Sequence, residues 1–260
     1  MSFRDLGLND KTIQAIEDLG YQEPTTVQRD VIPSILEGKD IFTIAPSACG
    51  KTCAYIFPLI DIISKNTTQN ILIITPDEKE AVKVSDKFAI FNKYHQINDE
   101  DTSGANVIIA APSLLLENIK ENNIDVSNIN ILVVDDINLI KKKRQLANLE
   151  QILDILPADK QNIVFTTRRS KETQSTLDKI LKTPAEIKID KTKEEEVKEL
   201  NQNEPVVSSE TKTKEHRNKY QRRENAQDKK AVELARKYKI FGKKVPAFLL
   251  DDTQLADEAE

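Results

Sequence analysis

Ile41-Phe-Thr-Ile-Ala-Pro-Ser-Ala-Cys-Gly-Lys-Thr52 decides the reading of this chain. Its opening apolar and β-branched residues, with no polar alternation, predict a strand buried on both faces. Gly-Lys-Thr then has the ending of a phosphate-binding loop, in which backbone amides cradle phosphates, the Lys reaches the terminal phosphates and the Thr hydroxyl ligates magnesium. The strict pattern asks for Gly where Ala45 stands, so the strand before and the helix after carry much of the argument. A helix starting here adds its positive dipole end toward an anion. Ser47, Ala48, Cys49, Gly50, Lys51 and Thr52 are therefore candidate phosphate contacts, with a nucleotide and Mg2+ as cofactors.

Similar runs rich in Ile and Val recur at residues 71–75, 107–110, 131–134 and 163–167, with a weaker one at 186–189. Between them, residues 53–64, 79–91, 113–121, 145–156 and 171–181 carry helical spacing of apolar residues. Alternating strand and helix predicts an α/β fold with a doubly wound, mostly parallel sheet. Ligands then bind at the carboxyl ends of the strands. The fourth run leads at that end into Asp135-Asp136-Ile137-Asn138. Alone, two acids after a hydrophobic strand read as a turn. Beside a phosphate loop they offer a counter-charge for nucleotide-bound magnesium and a group to position water.

At 260 residues and 38% hydrophobic, the chain has room for one well-buried domain and something smaller, but not for a two-domain motor. No apolar run reaches about 18 residues, and Met1 to Asp10 lacks the apolar core of a signal peptide. A soluble, cytoplasmic chain without a membrane partner is expected. Cys49 and Cys53 lie a helical turn apart, a poor geometry for a disulfide, and lack further ligands for zinc. Cys49 at a helix start is a candidate for oxidation. His95 and His216 have no acid or metal partner nearby in sequence and receive no role.

The net charge of −5 is unevenly spread: residues 212–244 hold thirteen Lys/Arg against four Asp/Glu, and residues 251–260 hold five acids and no base. These shifts predict a domain over 1–190, a linker over 191–215 and a basic helical tail with an acidic end over 216–260. In that tail Arg217, Arg222, Arg223, Lys229 and Lys230 are candidate contacts to RNA or a ribonucleoprotein, the alternative being a solvated charged helix. Lys141-Lys-Lys-Arg144 reads as a solvated helix face.

Gly20-Tyr-Gln-Glu-Pro-Thr-Thr-Val-Gln28, with Phe3 seventeen residues before Gly20, resembles the adenine-recognising Q motif of DEAD-box RNA helicases. The resemblance runs through Asp190 and is to the first of that family's two RecA-like ATPase domains. It implies that Gln28 pairs with the adenine edge, Phe3 stacks on the base, Tyr21 belongs to the same set and Thr25 helps to hold the loop. It further implies ATP or ADP with Mg2+ as the cofactors, Lys51 and Asp136 as catalytic residues and Thr52 and Asp135 as magnesium ligands.

Departures from the family pattern narrow the expected activity. Ala48 replaces a usual Gly, at about 1 kcal/mol if the position needs positive φ. Asp136 replaces the Glu that orients the attacking water; losing a methylene withdraws the carboxylate by about 1.5 Å, and misplacement of about 1 Å slows reaction ~100-fold. Hydrolysis is expected to be slow or absent. Asn138 replaces the closing Asp, and Thr166-Thr-Arg168 stands where S-A-T would couple hydrolysis to strand separation, so most coupling residues are expected to be lost. Pro76-Asp-Glu-Lys-Glu-Ala81 puts Glu78 where P-T-R-E-L-A has a phosphate-contacting Arg, and Ala111-Pro-Ser-Leu114 lacks the Arg of T-P-G-R. This face is expected to hold RNA weakly. Three readings stand: an ATP-dependent RNA helicase or RNA-stimulated ATPase; a nucleotide-binding pseudo-helicase acting in RNA- or ribosome-associated assembly or regulation; and a protein-interaction module that binds no nucleotide.

Overall fold

The computed structural model describes residues 1–66, 68–92, 95 and 106–189. The predicted linker and tail, with Arg217, Arg222, Arg223, Lys229 and Lys230, lie outside the described residues.

Six strands make one sheet: β1 (Ile41–Ile44), β2 (Asn70–Ile74), β3 (Asn106–Ala110), β4 (Ile131–Val134), β5 (Gln161–Thr166) and β6 (Ala185–Lys188), in the order β3-β2-β4-β5-β1-β6. All neighbours run parallel, with Ile71 opposite Ile131, Val133 opposite Ile163 and Ile41 also opposite Ile163. A central parallel strand has no solvent face, which is why β4, and β2 after Asn70, read as unbroken Ile, Leu and Val. Each strand expected from the sequence is present, with ends shifted by a residue or two.

The helices are α1 (Asp10–Asp18), α2 (Thr26–Leu36), α3 (Lys51–Lys65), α4 (Glu78–Asn92), α5 (Pro112–Lys120), α6 (Ile137–Lys142), α7 (Leu146–Leu153) and α8 (Lys171–Ile180), preceded by a 3-10 turn at Phe3–Leu6. On one face of the sheet Phe42, Leu72, Leu132 and Val164 pack with Leu115, Ile140, Ile152 and Leu177 from the last four helices. The neighbouring strand position turns to the other face, where Phe165 meets Tyr55 of α3 with ring centroids 5.6 Å apart. Gly20 ends α1 in the left-handed conformation (φ 83°), and the Tyr21 amide closes onto the Ile16 carbonyl at 3.1 Å. Among the described residues no helix is long and apolar enough to cross a membrane.

A buried polar link fastens α1 to α3. The fully buried Asp61 accepts from the Asn9 amide at 2.6 Å and from the Thr12 hydroxyl. With its proton directed to Asp61, Thr12 Oγ1 accepts from His95 Nε2, 2.8 Å away. Burial pulls the His95 pKa below its ordinary value, with Asp61 pulling the other way. The sequence offered His95 no partner because its partners come from far along the chain.

Candidate nucleotide-binding site

The sheet order puts the carboxyl ends of β4, β5 and β1 side by side, so the loop after Ile44 and the acids after Val134 flank the end of β5. The Ala45 amide donates to the Thr166 carbonyl at 2.9 Å, and the Asp135 amide to that of Ile74 at 2.9 Å, carrying the ladders one residue beyond the strands.

The loop itself turns through left-handed backbone at Ala48 (φ 63°) and Gly50 (φ 94°). Ala48 does therefore occupy a position that favours Gly, and its Cβ costs about 1 kcal/mol there. Gly50 is required twice over, because a Cβ would also stand 2.8 Å from Gln28 Nε2 and 3.0 Å from Thr25 Oγ1. That crowding reflects a clamp. Gln28 accepts from the Thr25 amide at 3.0 Å, closing the capping box of α2, and its Nε2 donates to the Gly50 carbonyl at 3.4 Å. Gln28 is 2% exposed, whereas Ser47 and Ala48 lie open at the loop's outer edge.

Lys51 opens α3 and curls back over the loop, its ammonium donating to the Ala45 and Pro46 carbonyls at 3.1 Å each. It stands 3.9 Å from Asp136 Oδ2. Cys49 belongs to the loop rather than to the helix, and Cys53 to the first turn of α3; both are buried and neither is in a disulfide. Burial raises the Cys53 thiol pKa, against the lowering influence of Lys87 and Tyr21.

On the acidic side, Tyr55 donates its hydroxyl to Asp135 Oδ2 at 3.1 Å. Burial lifts the Asp135 pKa to about 6, with Tyr55 and Lys51 pulling it down. Asp136 does not sit in a simple turn: it adopts φ 62° and caps α6, accepting from the Leu139 amide at 3.2 Å. Asn138 then donates to Thr166 Oγ1 at 2.7 Å and to the Arg168 carbonyl at 2.5 Å. The altered carboxylate box and Thr166-Thr-Arg168 are thus hydrogen-bonded to each other. That contact needs a donor and acceptors, and an amide facing a hydroxyl and a carbonyl supplies them.

Other candidates fall farther out. Phe3 is 3% exposed and meets Phe57 edge-on at 5.9 Å, while Tyr21, 38% exposed, leans on Phe57 at 6.3 Å and Phe91 at 5.9 Å. Tyr21 is thus the open ring of this aromatic cluster and Phe3 the buried one. Glu78 lies in the first turn of α4, where a carboxylate suits the helix dipole. Asp77 caps that helix through the Glu80 amide at 3.0 Å and pairs with Lys143 at 2.9 Å, and Lys141 pairs with Glu172. In the basic run 141–144, Lys142, Lys143 and Arg144 are exposed, and two of its lysines form ion pairs with neighbouring helices or their caps. The sequence reading passed over Tyr55; its signal was a hydroxyl three residues after Thr52, since helical side chains lean back toward the N-terminus.

The family model for DEAD/DEAH box helicases matches residues 25–177. The chain is 28% identical over 202 residues to the DEAD-box ATP-dependent RNA helicase RhpA of Helicobacter pylori, covering 72% of this chain and 41% of that protein. It is 26% identical over 204 residues to the ATP-dependent RNA helicase DeaD of Escherichia coli, covering 72% of this chain and 32% of that one. The chain thus spans less than half the length of these curated relatives. The crystal structure of a DEAD box protein from the hyperthermophile Methanococcus jannaschii has the same fold, with a TM-score of 0.66 at 24% identity over 73% of this chain and 56% of that one. From the Thr25–Gln28 clamp to α8, the chain belongs to the DEAD/DEAH box helicase family and forms its N-terminal RecA-like domain with altered motifs.

Proposed function

We propose that this domain binds ATP or ADP with Mg2+ on residues 45–52 and serves an RNA helicase-like role in which hydrolysis is slow or absent. The observation that carries the reading is Lys51: its ammonium, at the start of α3, gathers two loop carbonyls where phosphate oxygens would take their place. Ser47, Ala48, Cys49 and Gly50 offer loop amides, Gln28 the contact to the adenine edge, Thr25 support for the loop, and Phe3 and Tyr21 the aromatic wall.

Thr52 and Asp135 are hard oxygen donors of the kind magnesium takes, alongside phosphate oxygens and water. Asp135 fits the role because its hydrogen-bond partner is a neutral phenol and the Lys51 ammonium pairs instead with Asp136. Magnesium, when bound, neutralises charge developing on the phosphates. Titrating a fluescent ADP analogue into wild type and Lys51→Ala tests this: we expect at least tenfold weaker binding by the variant. Equal, weak signals from both would sink the reading.

The pseudo-helicase reading is favoured by Asp136, whose carboxylate is engaged with the end of α6 and so is poorly free to orient water. On that reading steady-state phosphate release stays at background with and without RNA, and RNA-stimulated turnover would refute it. RNA contact is proposed for Arg217, Arg222, Arg223, Lys229 and Lys230, with a ribonucleoprotein or a protein partner as the setting. Gel shifts in which affinity ignores salt concentration would remove that contact.

A further inference from the structure

Tyr55 lies one turn into α3 and is fully buried. Its hydroxyl reaches Asp135 Oδ2 at 3.1 Å, and Thr52 interacts with the same phenol oxygen. Its ring rests on Phe165 with an interplanar angle of 51°, next to Thr166, which receives the Asn138 amide. One side chain therefore joins the start of the phosphate-loop helix, the end of β4 and the end of β5. A phenylalanine ring would fill the same space, so packing alone does not call for the hydroxyl.

We propose that Tyr55 is a positioning residue: its hydroxyl fixes the rotamer of Asp135 and holds Asp135 and Thr52 as a preset pair of oxygen donors for the magnesium ion that accompanies a nucleotide. The inference rests on the nucleotide reading above and adds the residue that governs how tightly the metal is held there. One carboxylate oxygen is occupied by the phenol, which leaves the other for a metal ion. Outer partners of this kind orient metal ligands, and losing one weakens metal affinity about 10- to 100-fold.

The test uses the full chain and Tyr55→Phe, which removes the hydroxyl alone. A fluorescent ADP analogue is titrated in EDTA and again across a Mg2+ series. In EDTA both proteins bind alike, whereas the Mg2+ concentration giving half of the affinity gain rises about tenfold in Tyr55→Phe. The same substitution made on Asp135→Asn changes nothing further, because the group it positions is gone. Equal Mg2+ half-points overturn the proposal. So does a weakening of equal size in EDTA and in Mg2+, the mark of a merely structural hydroxyl. A wild-type chain that binds the analogue without any Mg2+ effect overturns this proposal and spares the nucleotide reading; a wild-type chain that binds no analogue overturns both.

Discussion

Phe57→Ala lowers the stability of the domain by about 3–5 kcal/mol, the largest loss expected from any single change near the site. Phe57 is fully buried on α3, and three rings converge on it: Phe3 at 5.9 Å, Tyr21 at 6.3 Å and Phe91 at 4.7 Å. Truncation forfeits the buried area, leaves a cavity that rigid rings cannot close, and removes edge-to-face contacts worth about 0.5–1.5 kcal/mol each. Phe3 precedes α1 and Tyr21 follows it, so the same change frees both ends of that helix from α3. Ties that stay include the Asn9–Thr12–Asp61 link and the bond from Asn9 to Ser64. Urea denaturation checks the expectation, and a loss below about 1 kcal/mol would mean that the cluster carries little of the packing.

The second large effect is one of pH. Burial holds the Asp135 carboxyl at about 6, above its ordinary value of 3.8. An acid whose folded pKa is raised binds its proton more tightly in the folded state. The domain therefore loses stability as pH rises from about 4 to about 6, and the loss is complete above that window. At 1.36 kcal/mol per unit, the penalty at neutral pH approaches ~3 kcal/mol, somewhat less where water reaches the carboxyl edge. Asp135→Asn, neutral and able to accept from Tyr55, removes it. In EDTA and without nucleotide, the variant should match wild type near pH 4 and exceed it by about 2–3 kcal/mol at pH 7.5. A difference that stays constant across that range would count against the buried carboxyl as its source.

The strands were legible because a parallel sheet covered on both faces leaves no polar alternation to confuse with a helix, as β2 and β4 illustrate. What the sequence hid was long-range or conformational. Tyr55 and Asp135 are 80 residues apart, Thr12 and Asp61 49 apart, and Thr12 and His95 83 apart, and no local pattern announces such pairs. The start of α6 was not legible because it springs from a left-handed Asp136, a backbone shape that acidic and amide side chains enter by bonding to nearby amides. The penalty at Ala48 was legible only as a condition, which its φ of 63° then met. The bond from Asn138 to Thr166 was not readable from the motif either, because a motif compares letters, while the bond requires only a donor facing an acceptor.

The strand order also dictates when this domain can assemble during synthesis. β1 is the first strand made, yet its two neighbours are the last, β5 at Gln161–Thr166 and β6 at Ala185–Lys188. Until those residues leave the ribosome, β1 has nothing to pair with and the loop joined to it has no frame. β2, β3 and β4 can meet earlier, so a nascent chain carries a half-built sheet with an open edge along β4, the kind of surface on which chains mispair. Non-local pairing of this sort slows folding, and it falls here on the strand that bears the phosphate loop, whose frame is complete only once β5 and β6 have been made.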